Sequence, residues 1–303
     1  MKFVISDKDH YEIFANVFQH VKEFNDSFNF NFSKEGLFIQ GFDKCHISIF
    51  ELNLNAEWFS IYEAGTSQLG FNARMFFKIL NMRQGGQFMT MSLKDDDDHY
   101  MIEFTGGGKK ECDKTFKIPL IDVDIEMFTI PKREEDVEFR ILHSHFAGII
   151  DQLIQFGENT NIKIDNENIT FHTEGTEGEM NAIISTDDLE EFSADECDDG
   201  ETLINQEYSL KQLKNLCLFS KIGEFISISV SNARPICIAY DVKNRDISMG
   251  AQGNGAQGNG AQGNGTQGNG PTVDEVDSLL ENMVITEDGN PNYLRLYLAP
   301  KIE

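Results

Sequence analysis

The densest run of metal-type ligands in this 303-residue chain is Asp95-Asp96-Asp97-Asp98-His99, and a divalent cation held there would support phosphodiester hydrolysis. Hard cations need oxygens converging from spaced positions. Four consecutive aspartates at a hairpin turn point apart, so the run reads as a solvated turn. His143 and His145 lie two apart on a predicted helix and face different sides. Gly106-Gly107-Gly108 precedes lysines but lacks the G-x-x-x-x-G-K-S/T spacing that cradles phosphates. The five cysteines, Cys45, Cys112, Cys197, Cys217 and Cys237, are odd in number and form no C-x-x-C pair. That pattern argues against a disulfide framework and against zinc, and points to a reduced intracellular compartment. No Ser or Cys nucleophile stands in a catalytic constellation. These residues imply no enzyme, no metal site and no cofactor.

The remaining chemistry is electrostatic. The chain carries 51 Asp and Glu against 25 Lys and Arg, a formal charge of −26, yet residues 72–83 (NARMFFKILNMR) and 209–222 (SLKQLKNLCLFSKI) contain six bases and no acid. Such a sign reversal asks for a polyanion admitted by one route and repelled elsewhere. Within the first segment Arg74 and Lys78 are four apart and share a helical face with Asn81, while Met75, Phe76 and Ile79 point elsewhere and Arg83 sits near the end. Within the second, Lys211, Lys214 and Lys221 fall within about 80° of one another at the helical period. Lys22 extends the set. None has a base-reading context, so the expected contacts are sequence-independent, to phosphates, and screened by salt.

The elements that position these bases occur twice. A helix predicted over 9–24, with Ile13, Val17, Phe18, Val21 and Phe24 on one face, precedes strands over 28–32, 37–42, 46–54, 59–64 and 68–71, then the first acid-free helix. Strands over 87–93, 99–105 and 114–120 follow. A second helix over 143–156, strands over 161–165, 168–172 and 179–185, and the second acid-free helix repeat the order. Asp9 to Asn72 spans 72 − 9 = 63 residues and Ser144 to Ser209 spans 209 − 144 = 65, so two halves of common topology are expected. Residues 1–119 form one domain, 120–135 (LIDVDIEMFTIPKREE) an extended connecting loop, and 136–303 the second domain.

Two segments of the second half fall outside a core. Residues 187–201 read as an acidic solvated loop. Residues 250–270 contain three AQGNG pentapeptides and one TQGNG, a flexible tether to a short amphipathic helix that opens on a Thr272/Glu275 capping box and runs to Met283. The flanking strands, 235–242 and 292–299, make a hairpin into which about 244–290 is inserted. The N-terminus has too short an apolar run for a signal peptide, and no stretch has the roughly 18 to 20 apolar residues of a membrane span, so a soluble protein is expected.

The last strand, YLRLYLAPKIE (293–303), resembles the C-terminus of the proliferating cell nuclear antigen family, the DNA sliding clamps of eukaryotes. SKEGLFIQGFDKCHISIFEL (33–52), FKIL (77–80), LIDVDIEMFTIP (120–131) and the strand after Pro235 resemble their family counterparts in the same order. The resemblance covers nearly the whole chain except about 244–290. It implies an α+β clamp fold, with helices lining the hole of a pseudo-sixfold homotrimeric ring and sheets outside. It also implies a processivity factor that encircles double-stranded DNA and tethers polymerase, clamp loader and other PIP-box proteins, in the nucleus or, for a viral clamp, a cytoplasmic replication compartment. Two other classes stay open: a metal-dependent DNA-processing enzyme using the acidic turn, and an acidic protein scaffold without DNA contact.

By the same resemblance the partner peptide docks on Phe42, His46, Ile47, Met127, Phe128, Ile130, Pro235, Tyr297, Ala299 and Pro300. Exposed Phe128 and Ile130 on a linker suggest a docking patch independently. Trimer closure would pair the strand bearing Lys114, Phe116 and Ile118 with the neighbour's strand bearing Met180, Ala182 and Ile184, edge to edge. Met180 stands where the family commonly has glycine. Gly148, Asp151 and Gln155 stand where the family often has bases, so a loose, uneven grip on DNA is expected. Asn166 stands at the usual ubiquitin-acceptor lysine, with Lys163 nearby.

Overall fold

The computed structural model describes residues 1–63, 67–94, 97–123, 127–128, 130, 136–194, 202–232, 234–243 and 292–301. All of these belong to one compact unit, Met1–Asn244 with Pro291–Glu303. The repeats and helix expected over 250–283 lie outside the described residues, as do Asp95, Asp96 and most of the connecting loop. Among the described residues no helix is long and apolar enough to cross a membrane.

The first half runs β1 (Lys2–Ile5), α1 (Lys8–Phe24), β2 (Ser27–Phe32), β3 (Gly36–Phe42), β4 (Ser48–Asn55), a 3-10 turn (Ala56–Trp58), β5 (Ile61–Glu63), β6 (Ser67–Asn72), α2 (Ala73–Leu80), β7 (Phe88–Ser92), β8 (His99–Thr105) and β9 (Lys114–Pro119). The second repeats that order: β10 (Val137–Leu142), α3 (His143–Leu153), β11 (Asn159–Ile164), β12 (Asn168–Gly175), β13 (Gly178–Ser185), a 3-10 turn (Thr186–Asp188), β14 (Glu191–Ala194), β15 (Ile204–Ser209), α4 (Leu210–Leu216), β16 (Phe225–Val230), β17 (Ile236–Asp241) and β18 (Tyr293–Leu298).

Each half holds a five-stranded and a four-stranded antiparallel sheet. The orders are β5-β1-β7-β8-β9 and β4-β3-β2-β6 in the first, β14-β10-β16-β17-β18 and β13-β12-β11-β15 in the second. β18 pairs with β4, from Tyr293↔Asn53 to Leu298↔Ser48, and fuses one sheet of each half into nine strands. The equivalent edges, β9 of the first half and β13 of the second, each pair on one side only among the described residues.

Local chemistry sets the helix ends. Asp7 caps α1 by accepting from the backbone N–H groups of Asp9 and His10, and Asn25 leaves the helix extended. Asn72 caps α2 through the N–H of Met75. The 3.6-residue period buries Ile13, Phe14, Val17, Phe18, Val21 and Phe24 against the sheets. The first-half core is built largely from phenylalanine: Phe71 lies 3.9 Å from Phe30 and 4.1 Å from Phe28, centroid to centroid. Gly70 is required by its surroundings, since a Cβ there would meet the Ile121 carbonyl oxygen at 2.2 Å where the connecting loop crosses β6.

Several expectations shift. Residues 187–201 are not simply a loop: Thr186–Asp188 form a 3-10 turn, and Glu191–Ala194 pair with β10 despite their acidity, because Phe192 and Ala194 turn inward against the core. The strand expected from residue 46 begins at Ser48, because Asp43 ties residues 43–48 into a turn by accepting from the N–H groups of Ile47 and Ser48. The helix expected to residue 156 ends at Leu153, and that expected over 209–222 is two turns long, Leu210–Leu216. β1, β10, β15 and β16 were not anticipated.

Candidate nucleic-acid interface and peptide-docking site

The helices pack in pairs, α1 with α2 and α3 with α4. The pairs meet where Phe219, just past α4, lies 5.3 Å from His20 and 6.5 Å from Phe24 of α1. Burial, with help from Lys22 and Lys221, lowers the His20 pKa, so that imidazole stays neutral near physiological pH.

The seven predicted bases differ in availability. Lys78, Lys211 and Lys221 are exposed and make no ion pair among the described residues. Lys214 stands 2.8 Å from Asp151 on α3. Arg74 is 3.1 Å from Asp26, whose other oxygen is 3.1 Å from Lys44; Lys44 foremost, then Arg74, holds the Asp26 carboxyl below its usual pKa. Lys22 lies 4.1 Å over the Phe77 ring and 3.7 Å from Glu23. Arg83 is half-buried, stacked 4.2 Å over Tyr11, with its Nε donating to the Gln87 carbonyl at 2.6 Å. Arg83 and Lys22 are therefore fastened to the protein. Met75, expected to point away, is 50% exposed beside Arg74, so the face of α2 is not purely basic.

The peptide-site residues gather around the turn before β4. Phe42 meets Phe128 edge-on at 5.0 Å and His46 at 5.4 Å. His46 is the one described non-glycine residue at positive φ, 57°; the Asp43 side chain that caps the turn supports that conformation. The Ile47 carbonyl accepts from the Ala299 N–H at 3.0 Å, which ties the C-terminal segment to the turn. Ile47, Met127 and Phe128 are exposed, the last by 52%, whereas Ile130 and Tyr297 are half-buried. Pro235 and Pro300 border β17 and β18, and Met127 precedes Phe128 in the chain.

Two residues absent from the sequence reading organise this site. Gln40 on β3 and Glu51 on β4 face each other in the ladder, are 4% and 7% exposed, and are joined at 2.8 Å. The Gln40 amide also bonds both ways to the backbone of Phe128. A polar residue at the centre of each of two adjacent apolar strands was the available signal.

At the free edges, Phe116 is half-buried on Phe104 at 5.9 Å, and Lys114 donates to Gln84 at 3.0 Å. Ile118, Met180 and Ala182 are half-buried. The Ile184 side chain belongs to the chain's own core at 5% exposure, whereas its neighbour Ile183, not singled out from sequence, is 66% exposed. A groove beside β13 is lined by Gly148, Ile149, Gln152, Met180, Ala182 and Ile183 among others. Among the described residues no group of three or more His, Cys, Asp or Glu side chains could hold a metal ion; Asp98 instead bonds the adjacent His99 ring.

Family comparison agrees with this architecture. The model of the proliferating cell nuclear antigen N-terminal domain matches residues 8–127, and that of the C-terminal domain matches residues 129–250. Proliferating cell nuclear antigen 1 of Plasmodium falciparum is 27% identical over 243 residues, 77% of this chain and 86% of that protein. Proliferating cell nuclear antigen of Dictyostelium discoideum is 24% identical, covering 76% of this chain and 90% of its own length. That of Chaetomium thermophilum is also 24% identical, over 76% and 89%. With both halves matched, the chain belongs to the proliferating cell nuclear antigen family and is a DNA sliding clamp.

Proposed function

We propose that three copies close into a ring through β9 of one protomer and β13 of the next, and that the ring carries partner proteins on the Phe42–Phe128 site. The observation carrying this reading is the internal junction. β18 and β4 are the duplicates of β9 and β13, and they already pair within the chain. The same pairing repeated between copies would give both of these edges a partner.

The junction also supplies a register. β9 corresponds to β18 with an offset of 296 − 116 = 180, because Phe116 and Leu296 pair with the equivalent core-facing residues Ile102 and Ile238. β4 corresponds to β13 with an offset of 185 − 55 = 130. Carried across, Leu294↔Leu52 becomes Lys114 opposite the neighbour's Ala182, and Leu298↔Ser48 becomes Ile118 opposite its Gly178.

Within such a ring Lys78, Lys211 and Lys221 are the phosphate contacts. Arg74 and Lys214 are available only when they leave their carboxylates, and Lys22 and Arg83 act mainly in packing. Retention on DNA is then topological, with weak, salt-screened contacts that permit sliding, and the −26 charge repels DNA from other surfaces. The protein performs no chemistry of its own, is opened by a separate loader, binds PIP-box peptides at the Phe42–Phe128 site, and works in the nucleus. The particle mass and retention on DNA test this together. A species of three chain masses that stays on nicked circular DNA and runs off linear DNA is expected; a monomer, or equal retention on both, would refute the ring.

A further inference from the structure

Phe128 presents a problem of physical chemistry: its ring is half in water, so burial of the ring does little to hold it, yet its backbone is closely held. The Phe128 N–H donates to the Gln40 side-chain oxygen at 2.7 Å, and the Gln40 Nε2 donates back to the Phe128 carbonyl at 2.8 Å. A side-chain amide thus bonds the connecting loop as a neighbouring strand would. The second Nε2 hydrogen goes to Glu51 Oε1 at 2.8 Å, so every hydrogen-bonding group of that amide is occupied.

Glu51 fixes which way the amide faces. The Glu51 Oε1 accepts from the Gln40 NH2, and the flipped amide would set oxygen against oxygen there. The Tyr297 hydroxyl donates to the other Glu51 oxygen at 3.3 Å, and burial, foremost, keeps that phenol protonated. Gln40, Glu51 and Tyr297 stand on β3, β4 and β18, so the relay crosses the seam between the two halves.

We propose that Gln40, oriented by Glu51, is a positioning residue that pins the Phe128 backbone and so sets the aromatic wall of Phe128 and Phe42 against which a partner peptide docks. The inference rests on the docking reading above, and the test separates the two. Trimeric protein is examined by hydrogen–deuterium exchange over the segment containing Phe128 and by calorimetric titration with a synthetic PIP-box peptide. Gln40→Glu removes both donated bonds and sets a second carboxylate beside Glu51. We expect faster exchange at Phe128 and affinity weakened about tenfold or more. Adding Glu51→Gln restores a donor between the two side chains and should recover part of the loss, which a purely steric role for Gln40 would not give; the bond to the Phe128 carbonyl stays broken. Gln40→Met, matched in length, serves if the charged variant fails to fold. Unchanged exchange and unchanged affinity in folded variants would overturn the proposal. Faster exchange with no peptide binding by the unaltered protein would overturn the docking reading and leave the clasp standing.

Discussion

Asp151 on α3 holds the ammonium of Lys214 on α4 at 2.8 Å, so one of the six bases in the two acid-free segments is tied to a carboxylate. Both side chains are about half exposed, and such a pair adds at most about 1 kcal/mol to stability. Its larger effect falls on the phosphate-facing charge. Asp151→Asn should leave thermal stability nearly unchanged and tighten DNA binding, steepening the salt dependence of log K by about one per lysine newly engaged. Lys78→Glu should act in the opposite direction, with the trimer intact. Fluorescence anisotropy of labelled duplex across a salt series checks both, and an unaltered slope in Asp151→Asn would sink the assignment.

The exposed wall of the peptide site makes a separate prediction. Phe128 is half exposed and Ile130 half buried, so replacing both with Asp should cost little in folding stability while placing charge where an apolar peptide must sit. Calorimetry should find PIP-peptide binding weakened at least a hundredfold, about 2.7 kcal/mol, at unchanged particle mass.

The duplicated order of elements was legible in the sequence because helical and strand periods are local signals. α1, the first acid-free helix and the hairpin of β17 and β18 emerged within a few residues of their observed bounds, and the second acid-free helix began where expected but ended six residues early. β14 and β15 did not emerge, because EFSA lies in an acidic run and INQEYS carries four polar residues, Asn205, Gln206, Glu207 and Ser209; only the pairing of their neighbours makes strands of them. At the site, residue types were readable but partners were not. Lys214 and Asp151 are 214 − 151 = 63 residues apart, and Gln40 and Phe128 are 128 − 40 = 88. Whether a base is free or already paired depends on such tertiary contacts.

The internal junction yields a prediction about residues that no sequence pattern marked. Phe219 is fully buried, against His20 and Phe24, and Phe24 in turn meets Phe50 at 5.6 Å. The ladders relate Ser27↔Asn72 to Asn159↔Ser209, offsets of 132 and 137, so Phe24 corresponds to Phe156 and Phe219 to Met82. Phe50 corresponds to Met180 by the offset of 130. Met82 and Phe156 are exposed in the isolated chain. In the ring, Met82 of one protomer should pack on Phe156 and Met180 of the next. Met82→Asp or Phe156→Asp should then dissociate the trimer without unfolding the protomer, losing about 1.5–3 kcal/mol of burial per junction. Sedimentation velocity distinguishes this from an unchanged ring.

Alkaline pH should destabilise the fold. Burial raises the Cys217 thiol from 9.0 to about 12 and Tyr62 from 10.0 to about 12, and raises Tyr11, Tyr100, Tyr208, Tyr240 and Tyr297 further. A pKa higher in the folded state means that the unfolded chain releases protons first as pH rises. The contribution to stability is therefore complete below pH 9 and declines above it, first through Cys217 and then through the tyrosines above pH 10. Chemical denaturation at pH 8, 9.5 and 10.5 should give a falling midpoint. Cys217→Ala should remove the part of the decline that begins near pH 9.

Removing residues 245–290 should spare the ring. The β17–β18 hairpin is closed at the point of insertion, where the Val242 N–H donates to the Asn292 carbonyl at 3.1 Å. Both ends are also fastened to the first half: the Trp58 indole donates to the Lys243 carbonyl at 3.2 Å, and the Asn292 side chain accepts from the Asn55 N–H at 2.7 Å. None of these bonds uses a residue of the deleted segment. A short Asn-Gly turn in its place shortens the connection from 46 residues (290 − 245 + 1), and the smaller closure entropy should stabilise the fold by up to about 2 kcal/mol. Trp58 is the only tryptophan and stacks on His10 at 4.5 Å, so its emission reports directly on this base. Unchanged emission, trimer mass and DNA retention are expected. A red-shifted emission with loss of the trimer would show instead that the segment supports the junction.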